Sequence, residues 1–519
     1  MRKNSRSSFL SARVRPLSAA LLMLLGVPAS RAATIIVDSD ADGSVAGRCT
    51  VRDAVAAANT DAVVAGCAAG SGADTIQFAT GIASITLTKQ AGGSLLISSE
   101  LVLDGQASPV TLRRDAADAT FRIVDALETA PLTLRSMKIT GGRLDEADLY
   151  GGGAGVLARG DLTLERSEVS SNVTNKWQGR GAGILARAGL ELVDSVVSGN
   201  ATTGQSSPGG GIYSYYQPVL LTRSVISGNV TLDVASGGGG VATRAVDVVA
   251  TESAIVDNWT SGDGSFGGGF NVPIATLTLV DSTVSGNSTE GGSAWGGGGY
   301  AYTLHASGST FAGNSTLSYS SYGGGFFSAA ADISNSTISG NWTTGENAWG
   351  GGFVVALSSS VRNSTIFGNR SQWATGGGVA IWAVDAAAII EFDSSLLFGN
   401  SASVDPDIGL VDATGEITSI PIAGGHNLIG AASISAVFPP DTLNCDPRLM
   451  PLAANGGKTM THRLGEGSCA VDAGANPDAL ASDQRGAGYE RSFGAATDIG
   501  ALERQPADEK IFADGFDPD

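Results

Sequence analysis

The chain has 519 residues, with 31 Lys and Arg against 50 Asp and Glu, for a formal charge of −19. That acidity argues against a surface made for nucleic acid or anionic lipid and is compatible with binding cations. Glycine, at 73 residues, is at about twice its usual share, yet there is no Gly-X-Y period and 42% of residues are apolar, which excludes collagen and disorder.

Residues 1–32 hold Arg2, Lys3, Arg6, Arg13, Arg15 and Arg31 and no acidic residue, an apolar run from Leu17 to Val27, and then Ser30-Arg31-Ala32. The run is well short of the roughly 20 residues a membrane span needs, and the small-x-small ending predicts a secretory signal cleaved near Ala32. No later segment is long and apolar enough to span, and the mature chain would carry 25 basic against 50 acidic residues, a charge of −25. Export makes Cys49, Cys67, Cys445 and Cys469 a pair of disulfides. Their places at the two ends of the chain favour Cys49 with Cys67 and Cys445 with Cys469, each pair stapling one end.

Residues 33–80 read as an amino-terminal cap. Thr50-Val51-Arg52-Asp53 has the form of a capping box opening a short Ala-rich helix from Val51 to Asn59, with Val51, Val55 and Ala58 on one face. Just before it, Asp38-Ser39-Asp40-Ala41-Asp42-Gly43 opens like an EF-hand loop, making Asp38, Asp40 and Asp42 candidate calcium ligands. The twelfth position, where a bidentate Glu should stand, is Cys49, so an Asx-type turn is the competing reading.

Between residues 81 and 400 the chain repeats itself. Ser-x-apolar-x-x-Asn ends at Asn172, Asn200, Asn229, Asn258, Asn287, Asn314, Asn341, Asn369 and Asn400, in units of 27–31 residues. Such a period means a solenoid or a propeller. Leu162 and Leu164, Leu190 and Leu192, and Leu277 and Leu279 stand ten and eight residues before their asparagines, a strand period with one buried face. The position three before each asparagine is also apolar in all nine units, and eight minus three is odd, so the chain must bend near the serine between them. A third inward segment starts after each glycine run, at Ile184, Ile212, Val241, Phe270, Tyr300, Phe326, Phe353 and Val379. Three short strands per turn and no helical period predict an all-β parallel β-helix. No hairpin signal supports a propeller.

In a solenoid each corner residue sits about 4.8 Å above its predecessor, so the asparagine amides can hydrogen-bond in a ladder, and the serines can do the same at the other bend. Eight of the nine asparagines also match the N-glycosylation sequon. Buried ladder residues would be poor acceptors.

Eight residues after the asparagine, four consecutive units place Phe266, Trp295, Tyr322 and Trp349. Trp259 and Trp342 follow their asparagines directly, and Trp177 and Trp373 lie in equivalent loops. Stacked at the turn spacing, these rings form a stripe, either an internal stack that stiffens the corner or an exposed platform for sugar rings.

Beyond Asn400 the period fails and Asp, Gly and Pro increase, so 401–503 reads as a carboxyl cap and 504–519 as a tail. The segment Arg48-Cys49-Thr50-Val51-Arg52-Asp53-Ala54 resembles the CSLREA domain of exported bacterial repeat proteins, departing from its six letters at Thr50, Val51 and Asp53. Asp446-Pro447, Asn455-Gly456-Gly457-Lys458-Thr459, Asp472-Ala473-Gly474, Asp483-Gln484-Arg485-Gly486 and Asp498-Ile499-Gly500-Ala501 look like a choice-of-anchor Q domain. The middle resembles pectate-lyase-like right-handed β-helices and is similar to the repeats of polymorphic outer membrane proteins. Ile511 to Phe516 resembles a tail shared by some exported proteins, a sorting signal or a frayed end. The resemblance implies a right-handed solenoid, secreted or on the outer surface of a Gram-negative bacterium.

For chemistry, a glycosidase needs two carboxylates flanking one bond, and a lyase needs a base and a cation or Arg. The units from Gly209 to Gly352 hold few acidic residues and one histidine, His305, while Asn59-Thr60-Asp61 stands without the other polygalacturonase motifs. His426 and His462 fall in the carboxyl cap, where a structural hydrogen bond is expected. The sequence therefore predicts a non-catalytic binding or adhesion-type protein with polysaccharide as its expected partner and no cofactor beyond the calcium candidate. A polysaccharide lyase or hydrolase is the runner-up and a passive spacer the third reading.

Overall fold

The computed structural model describes residues 32–145, 151–383, 388–412, 419–433 and 435–505. The expected secretory signal, apart from Ala32, and the Ile511 to Phe516 tail lie outside them. The described residues form a parallel β-helix of about 12 turns with one helix.

One turn consists of the strands Ile184–Ala186, Leu190–Val193, Val196–Ser198 and Ala201–Thr202. The first two belong to a broad 24-stranded sheet, the third to a 13-stranded sheet and the last to a narrow 10-stranded one. Leu190 pairs in register with Val219 on the next turn, and Val197 with Ile226. Because side chains alternate along a strand, Leu190 and Leu192 point inward and Glu191 outward. The inward columns run the length of the solenoid as one apolar core. Each buried Leu or Ile contributes about 1.5–3 kcal/mol over its exposed state. In three consecutive turns the two broad-sheet strands fuse, as Phe270–Val280, Gly299–Ser307 and Phe326–Ser334, and they separate again at Phe353–Val355 and Ser359–Arg362.

The glycine runs follow from crowding at the corner after the narrow sheet. Taking one run, Gly350 has φ +67°, a Cβ on Gly351 would lie 2.4 Å from the Arg370 carbonyl, and one on Gly352 would lie 2.3 Å from the Gly378 oxygen. Stacked corners leave no room for side chains.

One expected inward residue is misplaced by this run. Tyr300 was read as inward, but Gly299 is the residue that pairs with Phe270 below and Phe326 above, while Tyr300 pairs with Asn271 and Phe327 and points out. The fourth glycine of Gly296–Gly299 takes the inward position, twelve residues after Asn287 just as Phe270 follows Asn258 and Phe326 follows Asn314, so the strand keeps its phase and only the side chain is missing. A small void of about 10 Å³ lined by Phe270, Phe311 and Phe326 lies where its side chain would be.

At the amino end the helix Val51–Thr60 is capped by Thr50, whose side chain accepts from the Asp53 N–H. Val51, Ala54, Ala57 and Ala58 are buried, and the Cys49–Cys67 disulfide ties the helix entry to the loop beyond it.

At the other end parallel pairing continues past Asn400, with Leu396 opposite Leu428 and Ile390 opposite Ile422. The chain then turns back as an arm along the outside of the 13-stranded sheet. Lys458 Nζ reaches Glu252 and Asp281 at 2.9 and 3.0 Å. Gln484 Nε2 donates to Thr310 Oγ1 at 2.9 Å and its Oε1 accepts from Thr337 Oγ1 at 2.6 Å. His462 joins Ser339 Oγ at 2.8 Å and the Met450 carbonyl at 2.7 Å, and burial lowers its pKa. A small second core of Leu396, Leu428, Leu464, Ala470 and Ile499 forms beneath the arm beside the Cys445–Cys469 disulfide.

Candidate functional site

The nine asparagines form a continuous buried ladder. The Asn287 N–H and Nδ2 both donate to Asn314 Oδ1, at 3.0 and 2.9 Å, and Nδ2 also donates to the Ile255 carbonyl at 2.9 Å. The pattern runs from Asn172 to Asn369, and at Asn400 the buried Asp407 carboxylate takes over, accepting from N–H and Nδ2 at 3.1 and 2.7 Å. Burial raises the Asp407 pKa. Ser195, Ser224, Ser253 and Ser282 form a second ladder, each N–H donating to the next hydroxyl at 3.1 Å. A third, absent from the sequence reading, runs through Ser207, Ser236 and Ser265. The sequon threonines face inward, and all but Thr289, whose hydroxyl is buried without a partner, donate to the carbonyl five residues on, as Thr202 does to Ser207 at 2.6 Å. The Asn-x-Thr pattern is therefore a corner device.

The aromatic stripe closes on itself. Tyr322 stacks on Trp349 with centroids 4.1 Å apart and planes 17° apart, and lies 5.7 Å from Trp295, which is 4.9 Å from Phe266. The outward column of the neighbouring strands adds Tyr300 and Phe327, and Trp382 packs edge-on against Trp295 and Trp349 at 6.0 Å. Trp295 and Tyr322 have rings on both sides, so their faces are spent on aromatic contacts, the geometry of a stack. Tyr300, Phe327 and Trp382 were missed because they join the stripe through register: Tyr300 pairs with Phe327, their column continues through Val354 to Ala380, and Trp382 stands two residues past Ala380. Trp259 and Trp342 lie apart, half-buried on the outside of the narrow sheet, and Trp177 and Trp373 are exposed.

Two of the calcium candidates are engaged by protein groups. Asp42 accepts from Arg52 Nε at 2.7 Å and from the Thr88 N–H and hydroxyl at 2.7 and 2.8 Å; Asp38 accepts from the Cys49 N–H at 2.7 Å and pairs with Arg48. Asp42 ties the lid to Thr88, while Asp38 closes the lid on itself. Among the described residues no group of three or more His, Cys, Asp or Glu is placed to hold a metal ion. Asn59 is likewise structural, bridging the Leu96 carbonyl and the Ser98 N–H.

A polar groove lies on the broad sheet. One outward column runs Thr163, Glu191, Leu220, Val249 and Thr278, then changes to His305, Asp332, Ser360 and Glu391 on successive turns. These four line an open groove of about 320 Å³ with Thr303, Ser358 and Ile389. Asp332 Oδ1 accepts from Arg362 Nη2 at 2.7 Å and from Ser360 Oγ at 3.0 Å, and Oδ2 faces His305 Nδ1 at 3.7 Å. Arg362 is itself held by Asp478 of the arm at 2.8 Å. Two residues along the strand from Glu391, the Asp393 pKa is raised by burial and by the Glu391 charge, and its Oδ1 is buried without a hydrogen-bond partner. Of this set the sequence reading singled out only His305, because the column crosses turns of 27, 28 and 31 residues and no fixed spacing picks it out.

Among the described residues no helix is long and apolar enough to cross a membrane. No protein-family model matches the chain and no curated protein matches it, so the fold and these side chains carry the functional reading.

Proposed function

We propose that this protein is an exported β-helix of the cell surface or the secreted pool that binds polysaccharide across its broad sheet without turning it over. The observation that carries this reading is the four-turn polar column in an open groove. Successive turns present hydrogen-bonding side chains at about 4.8 Å steps, the periodic display that suits a linear polymer. Asp332, fixed between Arg362, Ser360 and His305, offers a preset acceptor for sugar hydroxyls. The end motifs that resemble CSLREA and choice-of-anchor Q domains support the exported, surface-associated part of the proposal.

Asp393 favours a second reading. A carboxyl with a raised pKa beside the Glu391 carboxylate is the kind of pair that a glycoside hydrolase uses as acid and base. Titrating mature protein, residues 33–519, with neutral and acidic polysaccharides and assaying reducing ends and unsaturated products separates the two. Binding that weakens in Asp332→Asn, with no product, supports the binding reading. Product that disappears in Asp393→Asn supports the hydrolase, and no binding anywhere overturns both in favour of a passive spacer.

A further inference from the structure

A second recess lies on the far side of the solenoid, outside the narrow sheet. It holds about 370 Å³ and is lined by Gly340, Asn341, Trp342, Thr344, Gly368, Arg370 and Gln372. Trp342 and Arg370 are register partners on adjacent turns, and the same column continues into Ser315 below and Ser401 above. Flanking serines leave the indole and the guanidinium standing clear of their neighbours. Gly340 and Gly368 open the rim, since nothing lies within 4 Å of where a Cβ on either would sit.

The electrostatics run against those of the whole molecule. The chain carries −19, but this recess contains no carboxylate and one cation, Arg370, which is exposed. Arg143, Arg362 and Arg485 are all ion-paired. Among the described residues, neither the Arg370 guanidinium nor the Thr344 or Gln372 side chain has a hydrogen-bond or ion-pair partner. Three unspent polar groups around a half-buried indole are a recognition set, because a guanidinium matches a planar anion with two parallel hydrogen bonds and an indole face takes the apolar side of a sugar ring.

We infer that this recess is a binding subsite for an acidic saccharide, a sugar ring laid against Trp342 with its carboxylate or sulfate on Arg370 and its hydroxyls on Thr344 and Gln372. The subsite is separate from the broad-sheet groove and stands or falls independently of it.

The test is calorimetric titration of mature protein with three tetrasaccharides: alternating glucuronate and N-acetylglucosamine, a sulfated counterpart, and neutral chitotetraose. Each is repeated with Arg370→Gln, Arg370→Lys, Trp342→Ala and, as the control for the other face, Asp332→Asn. At least one acidic tetrasaccharide binds more tightly than the neutral one, and the stronger arm names the anion. Arg370→Gln loses tenfold or more of that affinity, on the order expected for a charge-assisted pair. Arg370→Lys recovers part of it, and Asp332→Asn leaves it unchanged. The Arg370 side chain is exposed and makes no hydrogen bond or ion pair with a described residue, so the thermal midpoint of Arg370→Gln stays at the wild-type value and a folding defect cannot account for the loss. Equal binding of acidic and neutral sugars, no binding of any, or full affinity in Arg370→Gln would each overturn the assignment.

Discussion

Gly298 and Gly299 are neighbours in one glycine run, and the structure assigns them opposite responses to the same methyl group. Gly299 occupies an inward position over a void of about 10 Å³, and a Cβ there would sit 3.4 Å from Phe270 Cβ, in ordinary contact. Its φ is not among the positive ones. Gly299→Ala therefore buries a methyl worth about 0.8 kcal/mol and restricts the unfolded chain by a further 0.4–1 kcal/mol or so, a stabilisation of about 1–2 kcal/mol. At Gly298 the Cβ would lie 2.3 Å from the Gly325 oxygen and 3.0 Å from Asn314 Cγ, both fixed by the ladders. Overpacking of that kind costs about 3 kcal/mol. Urea unfolding followed by far-ultraviolet circular dichroism reads the difference, with m compared to exclude a change in the unfolded state. Because solenoid turns open with their neighbours, amide exchange over residues 284–326 gives the local value. A Gly299→Ala protein as unstable as Gly298→Ala would refute the phase assignment and with it the outward placement of Tyr300.

Three further expectations follow from the ladders, the arm and the stack. Asn287→Ala strips the buried Asn258 N–H of its acceptor and leaves Nδ2 with only the Ile226 and Val256 carbonyls, so unfolding should become easier by about 1–3 kcal/mol for the stranded N–H, measured by the same urea titration. Glu503 is raised to about 7 by burial, against N–H donation from Phe493 and Asp498. The folded state holds this proton more tightly than the unfolded chain does, so stability is greatest below pH 4.5 and falls as pH rises through 7. Thermal melts from pH 4.5 to 8 should show that decline in wild type and a flatter profile in Glu503→Gln. Trp295→Ala should cost about 3–5 kcal/mol while leaving glycan affinity unchanged in the titrations above.

The repeat was readable because a solenoid forces one physical demand on every turn. Asparagine every 27–31 residues, serine five before it and an apolar residue between them specify both corners and the strand joining them. The interior position follows its asparagine by twelve residues from Ile184 to Phe353, and taking the first apolar residue after the glycines as inward put Tyr300 in the core because Gly299 holds that place. The groove was hidden for a different reason: His305, Asp332, Ser360 and Glu391 become neighbours through register, and register depends on loop lengths that vary from turn to turn. The arm has no period at all. Its course is set by single contacts such as Gln484 with Thr310 and Thr337 and His462 with Ser339, which no local pattern announces. Asp38 and Asp42 are the converse case, where a spacing that suggests metal also serves contacts with Arg48, Arg52 and Thr88 that the spacing does not announce.

Glycan binding in the broad-sheet groove is decided by a polysaccharide array comparing mature wild type with Asp332→Asn and with His305→Ala. Wild type should bind a defined set of polymers, and both variants should bind them at least tenfold more weakly with their melting temperatures held. Wild-type binding that both variants retain in full, or an array with no bound polymer, would contradict it.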